Sequence, residues 1–317
     1  MPGNRFEHKE VRLLPYFPFD DDTFKMKMGV HALNDSSLIE VDETAYHEEI
    51  ALKQRLLSEE YHQYYRALPH TEAMQWDVVE LILPTMATLY PQYFALRTKG
   101  EHWVWRNHLL GVETQFLLGD DRSLPLPALD WLGREVQEDL LVMSDAQGMP
   151  LVAGHLCFPN SWCLEDKLGL SLLDIHLPVP LFAETLGRST SLLLERLKVG
   201  RPVTRVNWSI KATPRLNFMP RYAYEEQQTY QYFTTENIGE RCFLRLERQT
   251  LSRLPRTKAI LFTIRTYQAP IAEVVHVAEY ARRIAGVLRT MPHEMQAYKA
   301  LAPCADVLLA YLDKRAM

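Results

Sequence analysis

Arg241-Cys-Phe-Leu-Arg-Leu-Glu-Arg-Gln-Thr-Leu251 and Ala259-Ile-Leu-Phe-Thr-Ile-Arg-Thr-Tyr267, joined through Leu254-Pro-Arg-Thr-Lys258, read as the two strands of a long hairpin. Side chains alternate across a strand, so Phe243, Arg245, Glu247 and Gln249 share one face and Leu244, Leu246 and Arg248 the other. This spacing predicts one apolar face and one charged face. The hairpin therefore belongs to a sheet with a packed side, and the segments around it supply helices to pack there.

Working outward, helical spacing recurs over Asp42 to Leu68, with an acidic opening at Val41-Asp42-Glu43 and a stop at Pro69. It recurs over Glu72 to Thr88, where Thr71 is a plausible cap and Pro84 bends or ends the helix, and over Ala128 to Met143. Further helices are expected over Pro180 to Leu197, Ile271 to Met291 and Glu294 to Ala316. Phe94 to Thr98 and Trp103 to Asn107 flank Lys99-Gly100 as strand, turn and strand, and Leu151 to Phe158 is a short apolar run bounded by Gly and Pro, a buried strand. The expected fold is α+β, a central antiparallel sheet flanked by helices, with no composition break to mark a linker.

Composition supports a soluble globular chain: 317 residues, 47% hydrophobic and 24% charged, with 19 Pro and 13 Gly. The 35 Lys and Arg against 40 Asp and Glu give a net charge of −5, which argues against a surface adapted to nucleic acid or anionic lipid. Met1 to His8 has no apolar stretch of the kind a secretory signal needs, and the longest uncharged span, Ala146 to Leu164, is too polar for hydrocarbon. A cytoplasmic, non-membrane protein is expected. Cys157, Cys163, Cys242 and Cys304 form no CxxC pair, and Cys157 and Cys163 read as small buried hydrophobes. No HExxH, GxSxG, GxGxxG or GxxxxGK[ST] occurs, so zinc hydrolase, serine hydrolase, dinucleotide and P-loop readings have no support in sequence patterns.

Two regions stand apart. His176 precedes Pro178-Val-Pro180, a stiff run that holds an imidazole in place; either a metal or haem ligand or a buried histidine bonded to a loop carbonyl accounts for it. Residues 201–265 carry ten Arg and two Lys against five Glu, a local excess of positive charge in an acidic chain. Arginine suits bidentate recognition of carboxylate or phosphate, so Arg245, Arg248 and Arg265 are candidates to converge on an anionic ligand, against the alternative of ion pairs within the sheet, to Glu247 for instance. Trp103, Trp105, Trp162 and Trp208 are expected in the core or a pocket wall, and Glu184 either faces the cavity of His176 or is a solvated carboxylate near a helix start.

An ordered series of strings resembles one family. It includes Trp76-Asp-Val-Val-Glu80, Arg134-Glu-Val-Gln-Glu-Asp139, Phe158-Pro-Asn-Ser-Trp162, Ile175-His-Leu-Pro-Val-Pro180, Asn207-Trp-Ser209 and Arg245-Leu-Glu-Arg-Gln-Thr-Leu251. Together they resemble the haem-dependent oxidative N-demethylases, the haem subunit of dimethylamine monooxygenase, over nearly the whole chain. The resemblance implies a PAS-like sheet wrapped by helices, residues 1–317 forming a single haem-binding oxygenase domain with helical N- and C-terminal extensions. It implies haem b, with His176 as axial ligand and Arg245, Arg248 and Arg265 as partners of the propionates. It further implies oxidation of a small secondary amine such as dimethylamine to a primary amine and formaldehyde, using O₂ and external electrons. For the cationic amine, Glu184 and Trp162 are the candidate contacts, and Asp174 is a candidate support for the imidazole if its segment is extended.

The sequence has no flavin-binding or iron–sulfur segment, so the electrons are expected from a separate NAD(P)H-dependent flavin or iron–sulfur reductase. His155 lies outside the family pattern and is a rival ligand or a distal residue. Two other readings stand beside the oxygenase: a PAS-like haem or small-ligand sensor without turnover, and a scaffold that has lost haem. Consumption of O₂ with an amine and an electron donor separates the first from the sensor.

Overall fold

A computed structural model describes residues 14–34 and 37–317; the reading of Met1 to His8 lies outside the described residues. Among the described residues, ten strands fall in two antiparallel sheets. The larger contains β1 (His31–Ala32), β2 (Tyr65–Ala67), β6 (Asp139–Met143), β7 (Leu151–His155), β8 (Val203–Lys211), β9 (Phe243–Arg253) and β10 (Ile260–Pro270), in the order β1-β8-β9-β10-β6-β7-β2. The smaller is β3 (Phe94–Lys99), β4 (His102–Asn107) and β5 (Val112–Leu117). Helices occupy much of the remaining chain, so the α+β expectation and the antiparallel central sheet hold.

The quoted hairpin is β9 and β10, paired from Phe243 opposite Pro270 to Arg253 opposite Ile260. Opposed residues share a face, and β8 is in register, with Arg205 opposite Gln249, Asn207 opposite Glu247 and Ser209 opposite Arg245. One face is thus polar across three strands. The second face is apolar only at its Leu244 and Leu246 end, because Arg248 stands directly opposite Arg265 there. The expectation of one wholly apolar face is corrected: each face carries buried charge.

Local signals explain most elements. Asp42 caps the helix Glu43–Glu59, its carboxylate accepting the Thr44 N–H at 3.1 Å. That helix is shorter than expected, and Tyr65–Ala67 leaves it as β2 to pair with β7. The helix Glu72–Leu89 runs through Pro84, and the Thr71 hydroxyl donates back to the Leu68 carbonyl instead of capping it. The expected helix from Ala128 to Met143 stops at Gly133, and its second half is β6. All five β6 residues are buried, so their apolar run fits either period. Gly133 is required where it stands: a Cβ there would lie 2.3 Å from the His155 ring. The two C-terminal helices each divide in two, into Ile271–Val274 and Ala278–Thr290, and into His293–Tyr298 and Ala305–Arg315.

Among the described residues, the buried apolar side chains form three clusters. One lies between the helices Glu43–Glu59 and Glu72–Leu89 and the small sheet, and a second joins the C-terminal helices to Leu244 and Leu246. The third contains Leu141, Leu164, Leu172, Leu194, Leu197, Ile260 and Ile264, and it is the floor on which the His176 segment rests. Among the described residues no helix is long and apolar enough to cross a membrane.

Candidate functional site

His176 is the last residue of a short helix, Leu172–His176, whose first turn is capped by the Ser171 hydroxyl accepting the Asp174 N–H at 3.3 Å. Its Nδ1 lies 2.8 Å from the Leu172 carbonyl oxygen, and its ring stacks on Phe182 with centroids 4.4 Å apart. Lys167 donates to the Ile175 carbonyl at 2.8 Å and fixes the preceding residue. Burial lowers the pKa of His176 below the ordinary histidine value; the Leu172 bond opposes this, and the charges of Arg205 and Lys167 reinforce it. The ring is therefore neutral at pH 7. With Nδ1–H donated to the carbonyl, the lone pair is on Nε2, which makes no hydrogen bond among the described residues.

The two sequence readings of His176, carbonyl-bonded or ligating, prove compatible, because the carbonyl bond is what orients the other nitrogen. Asp174 does not support the ring. The segment is helical, not extended, and the Asp174 carboxylate accepts from the Ser171 hydroxyl at 2.6 Å and is exposed. Beyond His176 the backbone departs from regular geometry: Leu181 is left-handed at φ 62°, and Ala183–Gly187 forms a π-helical turn. Leu173, Leu177 and Leu181, close to the histidine in sequence, are 45%, 72% and 41% exposed, apolar side chains left uncovered. Glu184 lies on the π-helical turn and is exposed. Trp162 is half-buried and, with Ile175, packs on the third cluster.

The polar face of β8 and β9 adjoins this segment. Glu247 is its centre, accepting from Asn207 at 3.2 Å and Gln249 at 3.1 Å and pairing with the Arg245 Nε at 3.5 Å. The string Phe158 to Trp162 is a strap over this face: Asn160 donates to Ser209 at 3.1 Å, Lys211 donates to the Ser161 hydroxyl at 3.2 Å, and Arg245 donates to the Phe158 carbonyl at 2.6 Å. Arg205 stands on the same face, and its Nε is buried without a hydrogen-bond partner. Sequence reasoning passed over Arg205. The alternation of Val206, Trp208 and Ile210 with Arg205, Asn207, Ser209 and Lys211 was its signal.

The three arginines chosen from sequence do not converge on one ligand. Arg245 is on the polar face and buried, its guanidinium donating to the Leu216, Phe158 and Pro159 carbonyls and to the Thr266 hydroxyl. Arg248 and Arg265 meet on the opposite face, where protein carboxylates neutralise them: Arg248 to Glu40 at 3.0 Å, and Arg265 to Glu49 at 2.8 Å and Asp42 at 3.9 Å. The physical reason is burial. A guanidinium taken out of water inside a sheet requires partners from the chain itself.

His155 is wholly buried between Asp130, whose Oδ1 is 3.6 Å from its Nε2, and the Cys157 sulfur, 4.0 Å from its Nδ1. Asp139, His155 and Cys157 bring potential ligand atoms within 4.8 Å of one another. The Asp139 oxygens, however, accept the Cys157 and Phe158 N–H groups at 2.7 and 2.9 Å, and Lys53 supplies the countercharge at 3.8 Å. Burial holds the Cys157 thiol well above, and the His155 imidazole well below, their ordinary pKa values. This is a closed polar core, with no room for a porphyrin. All four cysteines are buried and unpaired, as the sequence reading of Cys157 and Cys163 expects. A cleft of about 1070 Å³ lies elsewhere, between the helix Glu43–Glu59 and residues 214–222. Asp42, Glu43, Glu48, Glu49 and Glu59 line it with Arg55 and Arg215, a lining with more acid than base.

Residues 29–309, most of the chain and all of the site, match the family model described as haem-dependent oxidative N-demethylase, alpha subunit-like. With a neutral, carbonyl-oriented histidine, the chain belongs to the haem-dependent oxidative N-demethylase, alpha subunit-like family.

Proposed function

We propose that this protein is a haem b-dependent monooxygenase, a PAS-like domain spanning residues 1–317, that oxidatively N-demethylates a small secondary amine such as dimethylamine in the cytoplasm. The observation that carries the reading is the Nδ1 bond of His176 to the Leu172 carbonyl, which leaves Nε2 for iron. The residues fit the group. His176 Nε2 would hold the iron, Leu173, Leu177 and Leu181 would cover the macrocycle, and Arg205, whose side chain makes no hydrogen bond or ion pair among the described residues, would meet a propionate in place of the three arginines already paired with protein carboxylates.

When bound, haem supplies the power to oxidise an N-methyl group. The overall change takes a secondary methylamine, O₂, two electrons and two protons to a primary amine, formaldehyde and water. The electrons come from a separate NAD(P)H-dependent flavin or iron–sulfur reductase. The protein's share is binding and orientation: Glu184 offers a carboxylate to the ammonium, Trp162 an aromatic face, and Phe182 keeps the imidazole from rotating.

The visible spectrum of the purified, haem-reconstituted protein tests this, recorded before and after addition of dimethylamine. A stoichiometric Soret band that moves with the amine is the expected result. A band indifferent to amines would place the protein with sensors, and absence of haem uptake would overturn the proposal.

A further inference from the structure

The helix Arg188–Arg196 and the turn after it carry an unpaired basic surface. Arg188, Arg196, Lys198 and Arg201 are all exposed and make no ion pair among the described residues, with Glu195 the one acid among them, on a chain whose net charge is −5. Arg196, Lys198 and Arg201 rim a pocket of about 380 Å³ whose floor is Leu193, Leu197 and Val203. Val199, beside it, is 43% exposed. Apolar centre and charged rim are the anatomy of a protein-docking patch.

The patch is held rigidly. Arg253 reaches beneath the helix end, donating to the Leu194 carbonyl at 2.5 Å and the Leu197 carbonyl at 3.2 Å, and Val199 bridges to the Arg253 backbone. It also adjoins the strand that carries Arg205. Val203, in the pocket floor, is two residues from Arg205, about 7 Å along the strand, and the charge of Arg205 acts on His176. Leu194 and Leu197 share a cluster with Leu172 at the start of the His176 helix.

We infer that this surface is the docking site of an acidic electron-donor protein, with Arg196, Lys198 and Arg201 steering it and Leu193 and Val199 seating it. The inference rests on the haem reading above. In each encounter the donor would pass one electron to the haem-loaded protein and be oxidised by one electron itself, with no bond made or broken in the transfer. Two encounters supply one turnover.

The test uses an acidic plant-type ferredoxin as the probe donor. Its binding to the protein is followed by surface plasmon resonance with and without haem, and its reduction of the haem-loaded protein by stopped flow. The R196E/R201E variant is compared with K99E/R106E, which makes the same charge change at exposed positions of the small sheet. We expect R196E/R201E alone to lose at least ~10-fold in both ferredoxin affinity and reduction rate, with wild-type rates falling as salt rises. Reduction by dithionite should be unchanged. Equal loss in both variants, or none in either, overturns the docking site. Failure to bind haem overturns the oxygenase reading, while ferredoxin binding by the haem-free chain still decides the patch.

Discussion

The Nδ1 of His176 and the carbonyl oxygen of Leu172 are 2.8 Å apart, one turn along the same short helix. The ring is thereby fixed by its own backbone, so its tautomer does not depend on a distant carboxylate. His176→Ala should abolish stoichiometric haem uptake and the native Soret position while leaving the unfolding midpoint of the haem-free protein nearly unchanged, since the ring is only half-buried. Titration with haem, with circular dichroism as the folding control, measures both. An unaltered Soret band would assign the ligand elsewhere.

Arg205→Gln should weaken haem binding by roughly 10- to 100-fold, the loss of one charge-assisted hydrogen bond. Arg245→Gln should instead destabilise the fold, because its guanidinium holds the 158–159 and 216 carbonyls. Parallel haem titrations and urea melts distinguish the two outcomes.

Glu184→Gln and Trp162→Leu should each raise the dimethylamine concentration needed for a half-maximal Soret shift, the tryptophan change by roughly 0.5–2 kcal/mol in binding. Haem content should stay constant. A shift curve identical to wild type would remove the residue concerned from the amine site.

Glu138 predicts a pH effect. Burial raises its pKa from 4.5 to about 7, with the charge of Arg265 acting in the opposite direction. A carboxyl raised on folding favours the folded state while protonated, a contribution complete below the unfolded value and lost as pH rises through the folded one. Between pH 5 and pH 8 wild type should therefore lose roughly 2–3 kcal/mol through this group, and Glu138→Gln should lose correspondingly less. Urea unfolding of both proteins at the two pH values checks this.

Gly133→Ala should cost about 3 kcal/mol or more, because the new Cβ meets three atoms of the His155 ring at 2.3–2.5 Å. His155→Ala in that background should recover part of the loss. Thermal melts of the two variants provide the comparison.

The β9–β10 hairpin was legible because eleven-residue strands with alternating chemistry leave little else to form. His176 was legible through the stiffness of Pro178-Val-Pro180. What stayed hidden depends on tertiary placement. β6 reads as helix because both of its faces are buried, and no local signal reports the two strands that enclose it. Arg245, Arg248 and Arg265 look like a ligand cluster because sequence shows a run of positive charge but not Glu40 and Glu49, which close upon two of them from some two hundred residues away. Arg205 was obscured for the converse reason, since the lack of a carboxylate paired with it is visible only in three dimensions.

The position of β10 bears on how the protein is made. It lies between β9 and β6, so β6, synthesised more than a hundred residues earlier, has no neighbour on that side until residues 260–264 emerge from the ribosome. Up to that point a wholly buried strand has one open hydrogen-bonding edge, which is the template for pairing between chains. Completion of the sheet is therefore a late event of biosynthesis, and truncation anywhere before Ile260 should yield aggregating chains that require a chaperone, not a smaller folded unit.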